Sequence, residues 1–161
     1  MNVFEFALNF EKEQKDFYQE QSRKNKNNSL KTVFDYLVEE EEKHEEIIKK
    51  LLENEKVEHI ESDILHGAKE AFKKIAGNFD NEVIPTEQVD VYKKARDMEE
   101  KTHKFYKFRA EKIELAFVRK AFEKLAEEEK KHETIMRNLV EFVNRPNTWL
   151  DNAEWYHLEE Y

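Results

Sequence analysis

The sequence predicts an all-α fold: a four-helix bundle of two helical hairpins, a long crossover holding a short helix, and a C-terminal tail packed on the bundle. Three observations predict it. Gly and Pro number two each in 161 residues while Glu, Lys, Leu and Ala dominate, which favours long helices over sheet and tight turns. Apolar residues recur at alternating steps of three and four along extended stretches, the helical period. The segment FDYLVEEEEKHE at Phe34–Glu45 returns 88 residues later as FEKLAEEEKKHE at Phe122–Glu133. At the same offset Ala7, Glu11, Phe17 and Tyr18 are echoed by Ala95, Glu99, Phe105 and Tyr106, so the second hairpin repeats the first.

Helix A runs from Val3 to about Arg23, with Val3, Ala7, Phe10 and Phe17 on one stripe and Glu11 and Gln14 in the same line. The polar cluster Asn25–Ser29 breaks it, and Ser29 is placed to cap the next helix. Helix B then carries Leu30, Phe34, Leu37, Glu41, His44, Ile48 and Leu51 to about Asn54. Periodicity weakens between Glu55 and Pro85, although Ile64, Ala68, Ala71, Phe72 and Ile75 predict a short crossover helix ending at Gly77. Helix C opens near Thr86 and presents Val91, Ala95, Met98, Glu99, Thr102, Phe105, Tyr106 and Arg109 on one face. Helix D, from about Leu115 to Asn144, presents Val118, Phe122, Leu125, Glu129, His132, Met136 and Leu139, and Arg145-Pro146 ends it. The bundle is expected over residues 1–145. The tail, 146–161, with Trp149, Leu150, Trp155, Tyr156 and Leu158, is expected to pack on the bundle or on a second copy of the chain. Short A–B and C–D connections force antiparallel neighbours, while the stretch between B and C is long enough to cross the bundle.

Composition narrows the function. Acids outnumber bases by 37 to 28, which argues against nucleic acid as a partner and suits cations. The absence of cysteine excludes disulfides, thiolate zinc sites and cysteine-bound iron–sulfur centres. No stretch approaches the length of a membrane span and the N-terminus lacks a signal pattern, so a soluble cytoplasmic protein is the expectation.

Glu-x-x-His occurs four times, where composition alone gives about one match by chance. Position separates the four. Glu100/His103 lies one step off the apolar line of helix C, and Glu154/His157 lies in the tail without a repeat partner. Glu41/His44 and Glu129/His132 replace core residues in the middle of apolar stripes. A core glutamate is costly to bury as a charge unless it is paired or bound to metal. Four of them, Glu11, Glu41, Glu99 and Glu129, would repel one another in low dielectric, and two divalent ions balance that charge. Residues three apart on a helix are neighbours, so each Glu-x-x-His offers one ion an oxygen and a nitrogen. Mixed carboxylate and imidazole donors suit iron or manganese. One Glu from each of two helices and Glu-x-x-His from each of the other two is the template of dimetal helix bundles. His59, His66, His103 and His157 read as surface or packing residues.

On these motifs the chain resembles a rubrerythrin-type member of the ferritin-like di-iron carboxylate superfamily, and the tail RPNTWLDNAEW resembles the ending of its stand-alone domains. The resemblance implies two iron ions per chain, or manganese, held by Glu11, Glu41, His44, Glu99, Glu129 and His132, with Glu11 and Glu99 bridging or chelating. It implies that Tyr18 and Tyr106 hydrogen-bond ligand carboxylates. It further implies a di-iron oxidoreductase that passes electrons to hydrogen peroxide, or a ferroxidase or iron-storage protein that uses dioxygen, and a homodimer. Two departures stand out. The four-cysteine rubredoxin domain of classical relatives has no counterpart here, so reductant is expected from an external donor such as a rubredoxin. Thr102 stands where such enzymes carry a further helix C glutamate, the residue associated with exchange of carboxylate for histidine at the iron.

Overall fold

Asn2 opens the first helix with a reciprocal cap: its Oδ1 accepts from the Glu5 N–H at 2.9 Å, and the Glu5 carboxylate accepts from the Asn2 N–H at 3.3 Å. The computed structural model describes residues 2–78, 82, 84–146, 149 and 158. Its helices are α1 (Val3–Lys24), α2 (Leu30–Leu52), α3 (Ile64–Gly77), α4 (Val89–Ala110) and α5 (Ala116–Asn144). A 3₁₀ turn, Thr86–Gln88, leads into α4, and no strand occurs among the described residues. The predicted all-α architecture is the one observed, with helix ends displaced by a few residues at most.

One predicted cap is corrected. Ser29 is already in helical conformation (φ −73°, ψ −12°), so its side chain does not cap the first turn of α2. Asn28 Oδ1 takes the free N–H of Leu30 at 2.9 Å instead, while the Ser29 N–H and hydroxyl both donate to Glu82. The rest of this turn is more than a solvated loop. Asn25 is fully buried, and its side-chain amide donates to Gln21 O and to Tyr92 Oη, tying the turn to α4. At the other end of α2, Asn54 adopts φ 63°, the left-handed conformation that closes a helix without glycine.

α1 packs against α2 and α4 against α5, as the short connections require, while α3 lies against α2 and α5. Gly67 permits the α3 approach: a Cβ there would sit 2.7 Å from the Tyr36 ring.

The buried apolar residues form two separate clusters. One holds Tyr18, Leu30, Phe34, Leu37, Tyr92 and Ala95 together with the apolar face of α3 and the C-terminal half of α5. The other holds Ala7, Ile47, Ile48, Leu51, Tyr106, Phe122 and Leu125. Each buried Phe or Leu contributes roughly 1.5–3 kcal/mol relative to exposure, so both clusters drive folding. The repeat exchanges them: Tyr18, Phe34 and Leu37 in the first correspond to Tyr106, Phe122 and Leu125 in the second. Trp149 and Leu158 from the tail join the first cluster, Trp149 against Phe72 and Phe142. Leu150, Trp155 and Tyr156, expected to pack likewise, and Glu154/His157 lie outside the described residues. Among the described residues no helix is long and apolar enough to cross a membrane.

Candidate metal centre

Between the two apolar clusters lies a layer of polar side chains. Glu11 from α1, Glu41 and His44 from α2, Glu99 from α4, and Glu129 and His132 from α5 are all fully buried there. They form two overlapping groups, Glu11/Glu41/His44/Glu129 and Glu41/Glu99/Glu129/His132, and within each the donor atoms lie within 4.8 Å of one another. Glu41 and Glu129 belong to both, while Glu11 with His44 and Glu99 with His132 belong to one each.

The distances follow the internal repeat. His44 Nδ1 is 2.9 Å from Glu129 Oε1 and 3.4 Å from Glu11 Oε2. His132 Nδ1 is 2.9 Å from Glu41 Oε1 and 3.7 Å from Glu99 Oε1. The two imidazoles stack with centroids 5.5 Å apart and planes 5° from parallel. Tyr18 Oη donates to Glu99 Oε1 at 2.5 Å, and Tyr106 Oη donates to Glu11 Oε1 at 2.6 Å. Each tyrosine therefore secures the carboxylate of the opposite hairpin. These contacts pair α1 with α4 and α2 with α5 reciprocally, an approximate twofold relation through the layer in which α3 has no mate.

The buried layer gathers four carboxylates and two imidazoles in low dielectric. Burial pushes the Glu41 and Glu129 carboxyls well above the usual range, and the neighbouring carboxylates push them further. Burial acts the same way on Glu11, but the charge of His44 and the polar groups of Glu41, His44 and Glu129 close beside it outweigh burial and hold Glu11 down at about 2. Burial disfavours a charged His132, yet Glu129 and Glu99 raise it well above its ordinary value. Burial, then the adjoining carboxylates, raise both tyrosine phenols. Glu11 Oε2, both Glu41 oxygens, Glu99 Oε2, Glu129 Oε2 and His132 Nδ1 have no hydrogen-bond donor or acceptor in good geometry. Buried polar atoms are normally satisfied, so this many bare donor atoms in one layer fit a metal cluster.

Further buried polar residues surround the layer; Gln14 and Thr102 lie on stripes the sequence marks, while three glutamates are not evident from it. Glu45, Glu128 and Glu133 fall in charge runs that look solvated, yet all three are buried. Each has its own cation: Lys15 lies 2.9 Å from Glu45, Lys131 2.6 Å from Glu128 and Lys130 3.1 Å from Glu133. Glu45 and Glu133 are repeat mates, but so are the exposed Glu39 and Glu127, so the repeat does not single them out. The second pair is Gln14 and Thr102, also 88 residues apart and fully buried, with Gln14 Nε2 donating to Thr102 Oγ1 at 2.9 Å. They occupy the next turn after Glu11 and Glu99. A cleft of about 490 Å³ between α4 and α5, lined in part by His103, Lys107, Arg119 and Lys130, includes none of the six residues of the layer.

The family model described as Rubrerythrin matches residues 2–140 and, again, 90–156. The overlapping second match takes in α4 and α5, in keeping with duplication of the hairpin. No curated relative and no solved structure matches the sequence. An all-α bundle, a buried carboxylate and histidine layer shared between two equivalent hairpins, and a family match across nearly the whole chain agree on one conclusion: the chain belongs to the rubrerythrin family.

Proposed function

We propose that this protein is a di-iron oxidoreductase that reduces hydrogen peroxide with electrons from an external donor, H₂O₂ + 2e⁻ + 2H⁺ → 2H₂O. The observation that carries the reading is the pair of four-residue groups sharing Glu41 and Glu129, fully buried between two apolar clusters. Two iron ions, when bound, supply one electron each and the Lewis acidity that peroxide cleavage requires. Glu11 with His44 would hold one ion and Glu99 with His132 the other, and Glu41 and Glu129 stand in both groups. Of the roles expected of Glu11 and Glu99, holding a single ion would suit their place in one group each.

The surrounding residues hold the ligands in place. Tyr18 and Tyr106 each take one oxygen of Glu99 and Glu11, which leaves Oε2 of each carboxylate bare for an ion. The aromatic and aliphatic clusters on either side exclude bulk water and strengthen the attraction between carboxylates and cations. The electrons are taken to come from a separate redox protein, since the described bundle holds no cysteine-bound iron centre of its own.

The test has two stages. Anaerobic Fe(II) titration of metal-free protein should saturate near two ions per chain, and binding that is weak or far from that ratio would remove the basis of the reading. The loaded protein should then be oxidised faster by peroxide than by dioxygen and turn over with a reducing partner. Peroxide turnover no faster than oxidation by dioxygen would sink the assignment, and uptake of much more iron than two ions would mark a ferroxidase instead.

A further inference from the structure

Gln14 has no task among the metal-ligating side chains, yet its place relative to their layer is well defined. Gln14 and Thr102 are exchanged by the internal repeat and bond to each other, so their contact lies on the approximate twofold axis. His44 and His132 are likewise exchanged and stack on each other, so their contact lies on the same axis. The axis thus runs from the imidazole pair on α2 and α5, past the shared Glu41 and Glu129, to Gln14 and Thr102 on α1 and α4. A small molecule that reached both four-residue groups from the side away from the imidazoles would meet this second pair.

The two members of the pair are not equivalent there. The Thr102 hydroxyl donates to Met98 O at 3.0 Å and accepts from Gln14 Nε2, so its hydrogen is committed. The Gln14 amide must therefore present its NH₂ to Thr102 and turn its oxygen elsewhere. That oxygen is fully buried and has no donor among the described residues. A buried acceptor left bare is costly, and the cost is recovered when a donor arrives. Hydrogen peroxide brings two O–H donors, and dioxygen brings none.

We propose that Gln14 determines oxidant specificity: its carboxamide oxygen accepts a hydrogen bond from hydrogen peroxide, a contact that dioxygen cannot make. This rests on the peroxide reading of the function. Two measurements separate the ideas. In protein loaded with Zn(II), which is redox-inert, adding peroxide should shift the side-chain amide resonances of Gln14 in a saturable way, and no such shift overturns the role given to Gln14. In Fe(II)-loaded protein, Gln14→Met should lower the ratio of the peroxide to the dioxygen oxidation rate about five- to tenfold, the loss of one hydrogen bond. Thr102→Val, which leaves the Gln14 oxygen in place, should lower that ratio less. Equal slowing of both oxidants in Gln14→Met, with two ions still bound, would show a merely structural residue and overturn the proposal. If the wild-type protein treats both oxidants alike, the peroxide reading itself falls, and the zinc titration alone decides whether Gln14 binds peroxide.

Discussion

Tyr18 on α1 donates its hydroxyl to Glu99 on α4 at 2.5 Å, across the boundary between the two hairpins. The carboxylate that α4 brings to the layer is therefore oriented by the other half of the duplication, and Tyr106 returns the contact to Glu11. Neither hairpin alone can build the site, because each lacks the hydroxyl that orients its own carboxylate.

Removing that hydroxyl should be felt by one ion more than the other. Tyr18→Phe is expected to weaken metal binding at the Glu99/His132 group by about 10- to 100-fold, the usual effect of losing a partner of a ligand. Tyr106→Phe should do the same at the Glu11/His44 group. Stepwise titration with Co(II), read by its visible spectrum, resolves the two sites. Equal effects on both steps would show that the tyrosines do not act through their own carboxylates.

Replacing Glu41 and Glu129 by Gln separates metal binding from folding. Both groups lose a shared ligand, so the stabilisation by added Fe(II) should disappear; for intact protein it is about 2.7 kcal/mol per site at 100-fold excess over Kd. The metal-free variant should be no less stable than metal-free wild type at pH 8, since two buried acids pushed toward protonation are gone. Thermal unfolding with and without metal checks both statements.

Stability of the metal-free chain should fall as pH rises above the ordinary carboxyl value of 4.5 and on past the ordinary imidazole value of 6.5. Glu41, Glu129 and His132 are all raised in the folded state, so each contributes stability at low pH that is lost as pH climbs through its folded value. Glu11, lowered to about 2, acts oppositely: its contribution is present above its ordinary value of 4.5 and lost only as pH falls toward 2. Bound metal replaces the protons on Glu41 and Glu129, so affinity should rise with pH and binding should release protons. Urea unfolding across this range, with and without metal, gives the slopes, and a metal-free slope of opposite sign would show that the layer is not protonated in this way.

Phe34 and Phe122 are repeat mates in different apolar clusters, each fully buried. Phe34→Ala and Phe122→Ala are each expected to cost about 3–5 kcal/mol by leaving a cavity. The two losses should be nearly additive, because the polar layer separates the sites. Denaturant unfolding of the single and double variants measures this directly.

Much of the fold was legible because it is written in local pattern. Helix identity depends on spacing, and the stripes holding Leu30, Phe34, Leu37 and Glu41 read as helical before any contact is known. The cap of α2 was not, because Ser29 and Asn28 are both capping residue types and the helical backbone of Ser29 decided between them. Glu45, Glu128 and Glu133 were hidden for a different reason. In a run of charges a buried glutamate looks like an exposed one, and only the packing of the helices buries these three.

By itself the sequence determined five helices, the duplication and the placement of six candidate ligands on apolar stripes, all properties of residues near one another in the chain or at one fixed offset. Tertiary structure alone decided which carboxylates are shared, which tyrosine serves which glutamate, and that Gln14 meets Thr102. Those contacts join residues 81, 95 and 88 positions apart, and their partners are set by how two hairpins pack across a twofold axis. Spacing along one helix carries no information about that distance.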